Sequence, residues 1–326
     1  MSSLKLIVLV LSANLIASAQ ASAPSAPAQT PPSPRATTQS ASQPPTAPQQ
    51  PEFVRQGQQL IREGKIDDAI ALYRKTLEAS PDSLPANNAM GVALDLKGQG
   101  ADARKYFAKA IEVAATAQAR AGATRAVAMS YAFEGNCKKT GEQEQKVIDY
   151  YAQQQDYFQQ GEVADEAARV CIDAGDLDAA AKWYQTGHDL GLREPDIKPD
   201  RKDLWNFRLE HALARIAARR GNKAEADKHM AAAKAILDKG TNPGQAQFLP
   251  YLAGYVAFYG GDYKVALDQL QQANQNDPFI QCLMAQAYEK LGDKVKAMEF
   301  YRKAASTTSH NPPAAYAQPF AKKKLS

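Results

Sequence analysis

Between Phe53 and Ala305 the apolar positions return at i, i+3, i+4 and i+7, as in Ala69, Leu72, Tyr73, Thr76 and Leu77, which makes one sticky stripe along a helix. The stripes are punctuated. Ala69, Ala103, Ala180, Ala226, Ala266 and Ala297 each follow a glycine by five residues: Gly64, Gly98, Gly175, Gly221, Gly261 and Gly292. Each glycine ends one amphipathic stretch, and each alanine sits in the next, where so small a side chain lets two helices cross closely. The pattern predicts a helical hairpin, repeated. Successive alanines are 34, 77, 46, 40 and 31 residues apart, and the widest gap holds room for one degenerate copy near Gly135. Periods of this length mark a helical solenoid, in which no single hairpin can bury its own stripe and stacked neighbours share a continuous core.

On a 34-residue frame the chain resembles the tetratricopeptide repeat family. The first copy supplies Phe53, Gly57, Leu60, Ala69, Tyr73 and Pro81, and the second Met90, Gly91, Leu94, Ala103, Phe107 and Ala110. The sixth supplies Gly254, Ala266, Leu270, Ala273 and Pro278, and the seventh Ala285, Tyr288, Ala297, Tyr301 and Ala304. The fourth (Ala168, Ala180, Tyr184) and fifth (Ala214, Ala226, Met230) are weaker, and the third, around Ala128, Tyr131 and Gly135, has Thr140 at the crossing position. The expected fold is all-α, a right-handed α-solenoid of about six or seven hairpins. It is organised as an N-terminal stack over 52–187, an irregular junction over 188–206 and a C-terminal stack over 207–305. The junction carries Pro195 and Pro199, which either splits the superhelix or adds a turn of helix from about Asp200 that carries Trp205 inward.

The ends have other compositions. Residues 1–19 read as a signal peptide: Lys5, an apolar run from Leu6, then Ala17-Ser18-Ala19 before Gln20. The run is too short and too interrupted for a permanent span. Residues 20–51 hold nine of the nineteen prolines among Ala, Ser, Gln and Thr, the composition of a disordered linker. Residues 306–326, with three prolines and Lys322-Lys323-Lys324, read as a flexible basic tail. The chain is thus expected to be exported, periplasmic or secreted, with Cys137, Cys171 and Cys282 buried as small apolar residues; a Cys137–Cys171 bridge is the lesser alternative.

Charge and chemistry remove classes of function. Apart from Lys5, Arg35 and the terminal lysines, cations and acids balance to within one charge, so no basic face for nucleic acid is indicated. Four scattered histidines lack zinc spacing, and phosphate loops, nucleophile elbows and Cys-x-x-Cys pairs are absent from the sequence. Neither catalysis nor a cofactor is expected. The resemblance implies instead a concave face lined by the first helix of each repeat and used to hold another protein or peptide. Its groove positions fall on Asn88, Arg125, Asp165, Arg169, Arg208, His211 and Arg215, and in the sixth copy on Phe248, Tyr251, Tyr255 and Phe258.

Phe248 and Phe258 read as core. Tyr251 and Tyr255, four apart with hydroxyls that need water or a partner, are either core or ligand-facing. Asn88, Arg125, Arg169, Arg215, Tyr251 and Tyr255 are the candidate partner-binding residues. Val54 and Gln58 stand where the family's carboxylate-clamping subgroup has Lys and Asn, a departure from that clamp. Two rival expectations are a non-protein ligand such as a glycan, stacked on Tyr251, Tyr255 and Trp205, and a homo-oligomer sealed by the aromatic helix.

Overall fold

The computed structural model describes residues 50–326, so the expected signal peptide and nearly all of the expected linker lie outside the described residues. Fifteen helices and one 3-10 stretch make up the described residues, which contain no strand. Seven antiparallel hairpins follow one another: α1 (Glu52–Arg62) with α2 (Ile66–Ala79), α3 (Leu84–Lys97) with α4 (Gly100–Val113), α5 (Ala117–Phe133) with α6 (Cys137–Gln153), and α7 (Tyr157–Ala174) with α8 (Leu177–Gly191). Then come α9 (Pro199–Arg219) with α10 (Lys223–Leu237), α11 (Leu249–Tyr259) with α12 (Tyr263–Leu270), and α13 (Pro278–Lys290) with α14 (Lys294–Ala305), followed by a lone α15 (Pro312–Leu325). Each hairpin packs chiefly on the next, the arrangement of an α-solenoid.

The punctuation works as the sequence implies. Gly98, with φ 88°, ends α3 in the left-handed conformation that a side chain disfavours, and Gly64, Gly135, Gly175, Gly221, Gly261 and Gly292 share that sign of φ. In five of these turns the next residue is Asn or Asp, and its side chain caps the following helix: Asn136, Asp176, Asn222, Asp262 and Asp293 accept from the backbone N–H three residues on, at 3.0–3.2 Å. The crossing alanines Ala69, Ala103, Ala180, Ala226 and Ala266 are fully buried. At the third crossing Thr140 fits because its hydroxyl donates to the Ala128 carbonyl at 3.3 Å, which satisfies the extra polar atom and accounts for the weak third copy.

At the junction the chain adds helix: α9 begins at Pro199 and carries Trp205 to complete burial, while α8 and α9 pack directly on one another. Gly161 of α7 and Gly191 of α8 make room for the indole. A Cβ on either would sit 2.4 Å and 2.1 Å from its ring atoms.

Two expectations are corrected. Residues 306–326 are not a loose tail. Asn311 caps α15 by accepting from the Ala314 N–H, Pro312 and Pro313 occupy its first turn where no N–H is needed, and Ala314, Ala317 and Ala321 are buried against α13, α14, α5 and α7. The cysteines at 137 and 171 are not two separately buried thiols. They form a disulfide that joins the first residue of α6 to the last turn of α7, leaving Cys282 as the one free thiol, buried, among the described residues.

Candidate functional site

The inner wall of the solenoid is built from the odd-numbered helices, and most of it is already occupied. Helix α15 runs back from the last hairpin to α5 and α7. Its Ala315 packs with Ala128, Met129, Ala132 and Val170. His310, just before it, lies 2.8 Å from a carboxylate oxygen of buried Asp95 and stacks on Phe133, and Lys322 of α15 donates to the Leu96 carbonyl at 2.6 Å. The chain thereby fills the middle of its own groove. Openings remain along this wall, and two of them are lined by groove positions named above.

The first is formed by α1 and α3. A cavity of about 500 Å³ is lined by Val54, Gln58, Ile61, Asn88, Ala89 and Val92 among others, with Thr308 at its edge. Asn88 is half-buried, and its side-chain oxygen has no hydrogen-bond partner. The wall is mixed, with Gln50, Arg62 and Thr308 among its lining besides the apolar side chains, and Gln58 and Asn88 are the groups that would register the backbone of an extended segment laid across it.

The second opening lies between α7, α9 and the 3-10 stretch Pro243–Phe248, with Pro312 and Pro313 of α15 closing one side, and measures about 350 Å³. It brings together Asp165, Arg169, Arg208, His211 and Arg215, five of the groove positions that the resemblance implies. Arg208 pairs with Glu162, and Arg125 takes Glu166 with both Nε (2.7 Å) and Nη2 (2.5 Å). Arg125 is therefore committed within the fold, a bidentate brace between α5 and α7, and is not a free groove residue. Arg169 donates to Asp173 at 3.1 Å and lies over the Phe279 ring at 4.2 Å, while its Nη2 has no partner. Arg215 donates through Nη2 to the Tyr184 hydroxyl at 2.8 Å, and its Nη1 has none.

The electrostatics of this cavity follow from its depth. Burial, strengthened by Glu162 against the opposing pull of Arg208 and Arg215, pushes the Asp165 carboxyl up to about 7. Burial, then the charges of Arg215 and Arg169, hold His211 well below the usual histidine range, so it is a neutral imidazole at pH 7.

The aromatic helix α11 reverses the expectation for its residues. Tyr255 is fully buried and stacked on Phe279 at 6.2 Å, and Tyr251, 7 % exposed, meets Phe279 edge to face; neither presents a ligand-facing strip. Their hydroxyls are buried without partners. A helix that is apolar all round has no sequence phase, and here α9, α12 and α13 enclose it. Phe258 is core as expected, but Phe248 is 42 % exposed at the rim of the second cavity. Trp205, being wholly enclosed, offers no face for a stacked sugar.

Beneath this wall Glu144 of α6 is fully buried with no partner for either carboxylate oxygen. Burial, and after it the nearby charge of Glu166, holds its pKa well above 4.5. The folded chain keeps a proton that the unfolded chain gives up near pH 4.5, so this group costs stability as pH rises from there until the folded carboxyl itself ionises. Replacing Glu144 with Met is expected to raise stability at pH 7 by about 1 kcal/mol or more and to flatten the pH dependence, with no gain at pH 4. Denaturant melts of the two chains at both pH values check it; an equal gain at both would remove the titration from the account.

Residues 60–126 and 251–312 each match the tetratricopeptide repeat family. The sequence matches no curated protein. Among solved structures, the apo form of RapI is 12% identical, with 84% of this chain and 97% of that one covered at a TM-score of 0.50. A tetratricopeptide repeat protein from Parabacteroides merdae is 12% identical, with 83% and 98% covered at 0.46. At such identity the likeness is one of fold alone. Among the described residues no helix is long and apolar enough to cross a membrane.

Proposed function

We propose that the chain is a tetratricopeptide-repeat protein acting as a non-catalytic scaffold of the cell envelope, which holds an extended peptide of another protein across α1 and α3. The observation that carries this reading is the division of the inner wall: α15 and its neighbours cover the middle, while the α1/α3 opening is left as a groove with Val54, Ile61, Ala89 and Val92 for side chains and Gln58 and Asn88 for backbone. A peptide there would gain area from alternate side chains and direction from the two amides.

Export is supported by the composition of residues 1–19 and by the Cys137–Cys171 disulfide, because such bonds form and persist in oxidising compartments. Tyr251, Tyr255 and Trp205, all enclosed, lend no support to a glycan platform.

The test is photo-cross-linking in the producing cell, with the reactive residue placed at Gln58 or Val92 in the groove or at exposed Lys75 on α2. One discrete adduct with another protein is expected from positions 58 and 92 and none from 75, in a chain whose mature sequence starts at Gln20. Equal labelling from all three positions would move the binding surface elsewhere, and an adduct that still begins at Met1 would remove the exported reading.

A further inference from the structure

The opening between α7 and α9 contains a charge that the fold leaves unanswered. Arg215 is only 4 % exposed, and no carboxylate lies within ion-pair distance of it among the described residues. Its neighbours are spent otherwise: Arg208 on Glu162, Arg125 on Glu166 and Arg169 on Asp173. The Tyr184 hydroxyl accepts from one of the two terminal nitrogens of Arg215, and the other is buried and unpartnered, as are Nη2 of Arg169 and Nε2 of His211 beside it. Burying an uncompensated guanidinium is costly, and folds seldom keep one without an anion to meet it. Three polar groups with unused hydrogen-bonding capacity line one cavity, two of them on side chains at least nine-tenths buried.

The rest of the wall fixes what kind of anion. Glu162 and Glu166 face the same space and are held by Arg208 and Arg125, and Asp165 faces it without an ion-pair partner, so a second negative charge would be repelled, and the one guanidinium with no carboxylate at ion-pair distance calls for a single charge. Phe207, Phe248, Pro312 and Pro313 supply the remaining surface, and the volume of about 350 Å³ suits a small apolar body. We propose that this cavity binds a single carboxylate carried on an apolar group, with Arg215 taking the charge through its free Nη1 and Arg169 and His211 flanking it. A planar guanidinium meets a carboxylate through paired, directional hydrogen bonds, which neither an alcohol nor an amide reproduces. The carboxylate has two natural sources: a free apolar acid, or the C-terminus of a peptide ending in an apolar residue. Both present the same chemistry to Arg215.

Calorimetric titration of the full, disulfide-intact chain tests this with 4-phenylbutyrate, the matching alcohol 4-phenylbutanol, inorganic phosphate, and the peptide acetyl-Ala-Ala-Phe as free acid and as amide. At least one acid is expected to bind saturably, with its alcohol or amide roughly ten-fold to hundred-fold weaker. Tighter binding of phenylbutyrate assigns the site to free acids, and tighter binding of the peptide acid assigns it to chain ends. Arg215→Met is expected to lose the same factor while keeping the helical spectrum and melting no lower than the parent, since it removes an unpaired buried charge. Gln245→Glu, at the partly exposed rim where folding is not at stake, is expected to weaken the acids and leave the alcohol unchanged. Alcohol binding equal to acid binding would reduce the cavity to an apolar hole. Phosphate binding as tightly as the acids, or no saturable binding of either acid, would overturn the assignment, as would acids that bind the Gln245→Glu chain undiminished.

Discussion

Replacing Trp205 with Ala is expected to cost about 3–5 kcal/mol and to change the shape of the unfolding transition as well as its midpoint. The indole is fully buried at the point where α7, α8 and α9 meet, close against Gly161 and Gly191, with Phe158 at 5.5 Å and the Arg208 guanidinium over its ring at 5.0 Å. Those glycines leave a hole shaped to the ring, and helix backbones cannot collapse into it. In a stack of hairpins stability is close to a sum of local terms and interfaces, so emptying one interface uncouples the units on either side. The variant is therefore expected to melt in two steps, by calorimetry, where the parent melts in one. Trp205→Phe, which keeps an aromatic plug, is expected to restore most of the loss. A loss under about 1 kcal/mol with an unchanged single transition would show that the junction is held from elsewhere.

The Cys137–Cys171 bond is the second large contributor. It closes a loop over a sequence separation of 34 and staples the second helix of one hairpin to the first helix of the next. On the chain-entropy account a loop of that length is worth about 3–4 kcal/mol. Denaturation with and without reductant, and of the Cys137→Ala/Cys171→Ala chain, is expected to show that loss, the double variant being indifferent to reductant. Three free thiols found in the purified, unreduced protein would dispose of the bond, and with it one of the supports for export.

The hairpins could be read from the chain because small residues at close crossings and glycines at turns have few substitutes: Ala69 and Ala103 are buried as their spacing demands, and even Thr140 obeys once its hydroxyl finds the Ala128 carbonyl. Helix α15 was hidden for a related reason. Its buried stripe is made of Ala314, Ala317 and Ala321, which carry almost no hydrophobic signal, and its three prolines point toward coil, although two of them stand where a first turn welcomes them after the Asn311 cap. The Asn311-Pro312 pair was the available clue.

In the groove, the frame carried over with the resemblance named Asp165, Arg169, His211 and Arg215 but could not tell spent charges from free ones. That depends on Glu162, Glu166 and Asp173, which answer Arg208, Arg125 and Arg169 across or along helices. Tyr251 and Tyr255 were ambiguous for a deeper reason. Periodicity assigns a face only when some other face is polar, and in α11 none is.

The path of α15 alters how the array comes apart. A linear pile of hairpins frays from either tip at a cost set by the outermost unit alone. Here the thirteenth and fourteenth helices are tied through the fifteenth to the fifth and seventh, and His310 and Lys322 extend that tie to the third. Loosening the last hairpin thus strips cover from hairpins three to five positions earlier. In cooperativity the molecule resembles a clasped bracelet more than a stack of coins: with the clasp shut the last hairpin does not open alone, whereas α1 and α2 lie outside the clasp.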